Sequence, residues 1–250
     1  MSPFRPLLAA LLLLGACADR PPAGDADALA EFQANNDPFE PTNRFIYRIN
    51  DGIDTYFLAP IARGYRDAVP GAIRRPIHNV VANIATPVIF ANDVLEARPR
   101  RAGDSMMRFL INSTAGVGGL FDVATGFGYP EHDSGFGTTL ALWGVGEGPF
   151  LFLPLLGLSN PRDAAGFAGN IALDPLTFAT FGGSRTLGVA RFGTAAVDAR
   201  ERALDPIADI KKSALDPYAT FRSLYRQNRQ SEIEARRVPD AATVPAWFNR

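Results

Sequence analysis

Residues 134–167 read SGFGTTLALWGVGEGPFLFLPLLGLSNPRDAAGF, a run in which glycines interrupt stretches of large apolar side chains. The wider stretch 105–184 holds 15 of the 23 glycines but only eight charged residues. A globular domain usually spreads its charges more evenly, because most of its surface meets water. The charge-poor middle of the chain therefore indicates a surface that is partly shielded from water.

Helical periodicity surrounds this glycine-rich middle. Apolar residues recur at helical spacing over 45–57 and again over 73–95, where Pro76 and Pro87 are expected to kink or divide the helix. A third helix is predicted over 104–113. The middle itself predicts short helices, tight turns and at most one short strand near 150–153. The fold class is therefore mostly α, in one domain with little or no β structure.

Two proline-containing motifs predict helix starts. Asp37-Pro38-Phe39-Glu40 resembles a capping box, and Asp216-Pro217 is expected to cap the last helix. The helix that begins near Ser184 has an apolar face and an opposite charged face. The apolar face contains Val189, Phe192, Ala196, Ala199 and Ala203, and the charged face contains Arg191, Asp198, Arg202, Asp205 and Asp209.

The N-terminus has the pattern of a secretory signal, with Arg5 before an apolar run over 7–14 that is too short to span a bilayer. The single cysteine, Cys17, follows Leu-Gly-Ala, a pattern that resembles a bacterial lipobox. The predicted organisation is a signal peptide over 1–16 and a lipidated flexible tether over 17–36. A helical, membrane-embedded domain over 37–237 and a tail over 238–250 follow.

Composition argues against several classes of function. The formal net charge is −1, which offers no global field for nucleic acid. One cysteine and two histidines, His78 and His132, are too few for a Cys- or His-based metal centre, so no metal or cofactor is expected. Gly144-Val145-Gly146-Glu147-Gly148 lacks the lysine and hydroxyl residue of a phosphate-binding loop.

Catalytic motifs find little support in the chain. His132-Asp133-Ser134 holds the residue types of a catalytic triad, but adjacent residues cannot form the relay by themselves. We interpret this tripeptide as a polar loop and His78 as a hydrogen-bonded packing residue. No G-x-S-x-G motif is present in the sequence. The sequence therefore predicts a protein that is not an enzyme.

Five ordered blocks resemble the MlaA (VacJ) family of outer-membrane lipoproteins. The blocks are DPFEPTNRFIYRINDGIDTYFLAPIARGYRDAVP (37–70), NVVANIATPVIFANDVLEA (79–97), RFLINSTAGVGGLFDVA (108–124), FGTTLALWGVGEGPFLFLPLLGLSNPRDAAG (136–166) and DPYATFRSLYRQ (216–227). The resemblance implies a ring- or disc-shaped helical domain around an amphipathic channel, lipid-anchored in the inner leaflet of the outer membrane. Its expected function is non-enzymatic retrograde transport of mislocalised phospholipid, which maintains lipid asymmetry. The expected partners are phospholipid, a trimeric porin and a periplasmic lipid carrier.

The residues predicted to line the channel come from one glycine-rich loop that matches a family block. They are Gly144, Gly146, Glu147, Gly148 and Phe150. Their glycines would keep a constriction narrow and mobile, or would only let two short helices pack together.

Two other functions are weighed beside transport. The first is a structural lipoprotein that scaffolds porins and carries no lipid. The second is a lipid hydrolase, which would depend on Ser134 or His132.

Overall fold

The fold begins with a long helical run. The computed structural model describes residues 35–237, so Cys17 and the predictions for 1–34 and 238–250 lie outside the described residues. Helix α1 (Glu40–Ile53) continues through a π-helical segment (Asp54–Leu58) into α2 (Ala59–Ala68).

The start of α1 differs from the predicted capping box. Phe39 occupies the N-cap position and no side chain caps the helix, so the capping-box prediction is wrong. The Asp37 carboxylate instead accepts hydrogen bonds from Asn43 in α1 and from Tyr218 and Arg222 near the C-terminus. A buried carboxylate that binds these long-range donors is no longer free to cap the helix beside it.

The residue before the predicted start of the domain already contacts the fold. Asn36 donates hydrogen bonds from its side chain to Glu147 and to the Gly148 carbonyl, and its own carbonyl accepts one from the Phe150 amide. The boundary between tether and domain near Asp37 stays a prediction.

The next two helices pack against each other along much of their length. They are α3 (Gly71–Leu95) and α4 (Pro99–Thr114). Pro76 and Pro87 both lie inside α3, which continues through them, so the predicted division does not occur. Each proline removes only one backbone hydrogen bond, and the packing of α3 against α4 retains the helix. The helix predicted over 104–113 is confirmed as the central part of α4.

The glycine-rich middle contains short elements, as predicted. Helices α5 (Val123–Gly126) and α6 (Phe136–Leu142) precede a hairpin of β1 (Leu151–Leu153) and β2 (Gly157–Ser159), and α7 (Pro161–Leu173) follows. The strands are antiparallel, with Phe152 opposite Leu158. The predicted strand is present, and its partner β2 was not predicted. Within the described residues this hairpin is the only sheet, which confirms the mostly α fold class.

The C-terminal part of the domain returns to longer helices. A 3-10 turn (Pro175–Thr177) precedes α8 (Ser184–Arg202), α9 (Leu204–Ser213) and α10 (Pro217–Arg237). The Asp216 carboxylate accepts a hydrogen bond from the Ala219 amide, 3.2 Å away, which confirms the predicted cap of the last helix. Across the described helices, 35–237, none combines the length and the apolarity needed to cross a bilayer.

Helix α10 holds distant parts of the chain together through arginines seven residues apart. Arg222 binds Asp37, Arg229 binds Asp163 of α7, and Arg236 binds Glu96 at the end of α3. Residues seven apart lie on nearly the same face of a helix, so one face of α10 collects carboxylates from three separate elements.

The helices bury polar residues and expose apolar ones. Among the described residues, buried polar and charged side chains outnumber buried hydrophobic ones. In α8 the apolar face points outward: Val189 and Phe192 are 70% and 65% exposed, whereas Asp198 is only 3% exposed. The sequence predicted the two faces of this helix but not which of them faces inward.

The same inversion occurs in the other long helices. In α1, Asn43 is buried while Phe45 and Ile49 lie on the exposed side. In α4, Arg108 is buried and Leu110 is exposed. Soluble proteins rarely expose large contiguous apolar surfaces, so this exterior marks a surface that meets a partner or a membrane.

Candidate functional site

Four adjoining cavities occupy the space between the helices. A polar cavity of about 660 Å³ lies among α3, α4, α8 and the segment 122–133. An apolar cavity of about 590 Å³ lies among α3, α7 and α8. Both are lined by Ala85, Ile89, Asp133 and Ala195, so the two cavities meet at these residues.

Two further cavities extend this space toward the β-hairpin. The α7 cavity, of about 440 Å³, shares Asp133 and Phe167 with the apolar cavity. The hairpin cavity, of about 790 Å³, lies between α1, the hairpin and α9, and shares Leu156 and Leu158 with the α7 cavity. Polar and apolar walls therefore alternate along a row of adjoining cavities.

Stripes of polar residues on two helices form walls of the polar cavity. On α3 the stripe contains Asn79, Asn83 and Thr86, and on α4 it contains Ser105, Arg108 and Asn112. The members of each stripe are three or four residues apart, the spacing that places side chains on one helical face. Sequence reasoning missed both stripes, although the spacing was a usable signal.

His78 lies at one side of the polar cavity, between α3 and α8. Its Nδ1 is 3.0 Å from Asp198 Oδ2, and its Nε2 is 3.4 Å from Arg202 Nη1. A carboxylate only accepts and a guanidinium only donates, so the neutral tautomer with a proton on Nδ1 satisfies both contacts. The prediction that His78 is hydrogen-bonded is confirmed, and its position in the cavity wall was not predicted.

His132 also lines the polar cavity and binds a fully buried carboxylate. Its Nε2 is 2.9 Å from Asp93 Oδ2 and 3.0 Å from Ser105 Oγ, and Ser105 donates to the same Asp93 oxygen at 2.6 Å. A catalytic relay requires the carboxylate and the serine on different ring nitrogens. Here both contact Nε2, so the arrangement orders the cavity wall and does not activate the hydroxyl.

Ser134 and His132, the residues on which a lipid hydrolase would depend, bind different partners and not each other. Ser134 donates to Glu96 at 3.0 Å and accepts a hydrogen bond from Arg236, also at 3.0 Å. Its hydroxyl is therefore occupied by an ion pair at the end of α10, whereas His132 binds Asp93 and Ser105.

A third charged group crosses from α4 to the start of α5. Arg108 Nη2 is 3.3 Å from Asp122 Oδ1, and Arg108 also donates to Thr125 and to the Tyr129 carbonyl. Burial raises the pKa of Asp122, but hydrogen bonds from Thr125 and Asn112 and the charge of Arg108 together hold it below its usual value. Arg108 is thus occupied by structural contacts.

The hairpin cavity has apolar walls and one charged end. Phe57, Ile61, Leu155 and Phe221 contribute apolar surface. At the charged end, Arg200 donates two hydrogen bonds to Asp54, at 2.5 and 2.9 Å, and Lys211 Nζ is 3.4 Å from the same carboxylate. Burial raises the pKa of Asp54, but the contacts with Arg200 and Lys211 together leave it below its usual value.

The predicted channel residues, Gly144 to Phe150, lie beside these spaces and line none of the four cavities. Glu147 Oε1 is 3.0 Å from Arg226 Nη2, so its charge is paired. The Phe150 ring is buried against Phe152 and Tyr218. Gly144 and Gly148 have positive φ, and a side chain at Gly146 would meet open space. Their role in a channel stays a prediction.

Comparison with known proteins gives the family. Residues 35–232 match the MlaA lipoprotein family. The chain is 34% identical over 230 residues to the intermembrane phospholipid transport system lipoprotein MlaA of Haemophilus influenzae, covering 91% of this chain and 88% of that protein. The protein of the same name from Escherichia coli K12 is 29% identical over 231 residues, covering 88% of this chain and 90% of that protein.

A solved structure has a similar fold. It comes from work on the structural basis for maintenance of bacterial outer membrane lipid asymmetry, and it matches with a TM-score of 0.69 and 30% sequence identity. The match covers 79% of this chain and 98% of that chain. Sequence and structure agree, and the chain belongs to the MlaA lipoprotein family.

Proposed function

We propose that this protein is a non-enzymatic phospholipid translocation component of the outer membrane. In this function it removes mislocalised phospholipid from the outer leaflet through a ring-shaped helical domain and passes it to a periplasmic lipid carrier. The single observation that carries the proposal is the inverted polarity of the fold, with apolar residues outside and adjoining, partly polar cavities inside.

The apolar exterior supports a position within one leaflet. Tyr56, Phe57 and Val189 are among the most exposed apolar side chains, and acyl chains would remove them from water. A charge at membrane depth costs about 2.5–3.5 kcal/mol even on insertion scales, which agrees with the inward placement of Asp198 and Arg108. Lipidation at Cys17, after removal of residues 1–16, would anchor the domain on the periplasmic face.

The adjoining cavities support an amphipathic passage. Small-molecule sites commonly have volumes of about 300–1,000 Å³, and the polar and apolar cavities are both in this range. A head group fits the polar cavity while an acyl chain follows Phe167, Ile171 and Phe192 in the apolar one. Transfer along such a passage requires no covalent step.

The names of two relatives support phospholipid as a partner of this protein. The relatives from Haemophilus influenzae and Escherichia coli are named as lipoproteins of an intermembrane phospholipid transport system. In such a system this protein would receive phospholipid beside a trimeric porin and deliver it to the carrier.

The test is complementation by a variant with a blocked passage. Ala195 lies where the polar and apolar cavities meet, so Ala195→Phe would fill the junction. Ala190→Phe is the matched control, because Ala190 is exposed on the same helix and lines none of the four cavities. In a strain that lacks the gene, we expect Ala190→Phe, and not Ala195→Phe, to restore low outer-leaflet phospholipid and resistance to detergent with EDTA.

The same experiment distinguishes a porin scaffold from a transporter. Restoration by both variants, with equal membrane levels and equal copurification of porin, would favour the scaffold. A deletion that leaves outer-leaflet phospholipid unchanged would contradict transport altogether.

A further inference from the structure

The polar cavity carries more negative than positive charge. Its walls contain four carboxylates (Asp122, Glu131, Asp133 and Asp198) and two guanidiniums (Arg108 and Arg202). Even with His78 and His132 both protonated, the positive charges only equal the negative ones. With its carboxylates ionised, the cavity therefore has no net positive charge that would favour an anionic head group.

Two of these carboxylates are available to a ligand. Asp122 and Asp198 are bound to arginines, at 3.3 and 3.1 Å. Glu131 is half exposed, and its carboxylate lies 4.0 Å from His78 Nε2, which carries no proton in the neutral tautomer and so does not pair with it. Asp133 is exposed, has no ion-pair or hydrogen-bond partner among residues 35–237, and lines the polar, apolar and α7 cavities at their junction.

Arg202 is the accessible cation of the polar cavity. Its side chain is 55% exposed, whereas Arg108 is 8% exposed and occupied by Asp122, Thr125 and the Tyr129 carbonyl. Arg202 binds Asp198 and His78 and keeps further N–H donors available, because a guanidinium has five.

Arg202 and Glu131 both approach the same nitrogen of His78, at 3.4 and 4.0 Å. One accessible cation and one accessible carboxylate thus lie close to the same imidazole nitrogen. This arrangement matches a zwitterion, with its phosphate at Arg202 and its ammonium group at Glu131.

We propose that the polar cavity is a head-group site that selects phospholipids with an ammonium group, such as phosphatidylethanolamine, over anionic ones. Arg202 binds the phosphate, and Glu131 and Asp133 attract the ammonium group and repel a head group that is only negative. This inference rests on the proposed transport function and names the class of its substrate.

The experiment measures the lipid retained by the purified full-length lipidated protein. The protein is equilibrated in non-ionic detergent with equal amounts of phosphatidylethanolamine and phosphatidylglycerol and repurified, and the bound lipid is quantified by mass spectrometry. We expect phosphatidylethanolamine to exceed phosphatidylglycerol by about threefold, the size of a partly screened charge contact. The double variant Glu131→Gln/Asp133→Asn should bring the ratio close to one.

The matched control is Asp67→Asn/Asp209→Asn, which removes the same charge from exposed positions that line none of the four cavities and should keep the threefold ratio. Circular dichroism checks folding, and Asp133→Asn alone gives an intermediate ratio if the double variant unfolds. Bound phospholipid with no preference, or with a preference that survives in the double variant, would overturn the head-group site and leave transport intact. If neither phospholipid binds, both the head-group site and the proposed transport function would be contradicted.

Discussion

At the scale of single residues, stability depends on one buried and one partly buried carboxylate, which bind arginine and tyrosine of α10. Tyr218 and Arg222 donate to Asp37, and Tyr225 and Arg229 donate to Asp163. Each unit has tyrosine four residues before arginine, and the unit repeats after seven residues. Burial and the adjacent Asp37 carboxylate raise the pKa of Tyr218 well above its usual value, so its hydroxyl remains a donor.

Replacing Arg222 with glutamine should destabilise the fold strongly. Asp37 is almost fully buried and would lose its cation, at a cost of about 3–5 kcal/mol in the free energy of unfolding. Arg44→Gln is the control, because Arg44 binds Asp216 at the surface and should contribute about 1 kcal/mol or less. Denaturant unfolding in detergent measures both, and equal losses would contradict this ranking.

Acid should weaken the fold through Asp163. Burial raises the pKa of Asp163, but the contacts with Arg229, Tyr225 and Arg162 together hold it below its usual value. The folded state therefore binds this proton less tightly than the unfolded state, and stability present above about pH 4 is lost as pH falls through the lowered pKa. Unfolding measured from about pH 6 to about pH 3 should show this loss, and Asp163→Asn should flatten it. Parallel curves for the two proteins would contradict the assignment.

At the scale of elements, glycines set how closely α6 and α7 approach. A Cβ atom on Gly166 would lie 2.4 Å from the Gly137 amide nitrogen and 2.5 Å from its Cα. The backbones of α6 and α7 are therefore in contact at Gly137 and Gly166, two glycines that lie in separate sequence motifs.

Gly166→Ala should therefore separate α6 from α7. We expect a loss of about 1–3 kcal/mol in unfolding free energy, because the clash is with backbone and cannot be relieved by a rotamer change. Gly193→Ala is the matched control in helix α8, where an added Cβ meets no atom within 4 Å, and it should be neutral or slightly stabilising. Thermal unfolding compares the two, and a stable Gly166→Ala protein would contradict the close contact.

Sequence reasoning predicted helical periods better than it predicted helical faces. The spacing in α8 is the same whether Val189 or Asp198 faces inward, since periodicity carries no information about the surrounding solvent. The Gly166–Gly137 contact and the partners of Asp37 depend on residues far apart in the chain. The Asp216 cap was predictable because its partners lie within three residues. At the site, the polar stripes of α3 and α4 could have been predicted from residue spacing. That the two stripes face one cavity could not be predicted, because it depends on how the helices pack.

At the scale of the whole molecule, inverted polarity predicts which surface would meet lipid. Val189 of α8 is exposed and apolar, whereas Ser223 is exposed on the arginine- and glutamine-rich surface of α10. A leaflet-embedded disc requires these two surfaces to lie in different solvents.

Tryptophan placed at these two positions should report the difference. In a background with Trp143→Phe and Trp247→Phe, we expect brominated acyl chains to quench Val189→Trp in phospholipid vesicles and aqueous iodide to quench Ser223→Trp. Steady-state fluorescence measures both quenchers on both variants. Strong iodide quenching at position 189 would contradict an embedded exterior.

The arginine face of α10 also determines when the domain can be completed during biosynthesis. Helix α10 is synthesised after every element that it binds. The ion pairs of Asp37, Asp163 and Glu96 with their arginines can therefore form only after the whole domain has been translated and exported. A nascent chain that stops before α10 carries three interior carboxylates without their arginines. Its apolar exterior is then already synthesised, but the ion pairs that hold the domain together cannot yet form. Quality control in the envelope would therefore encounter this chain in an incompletely folded state.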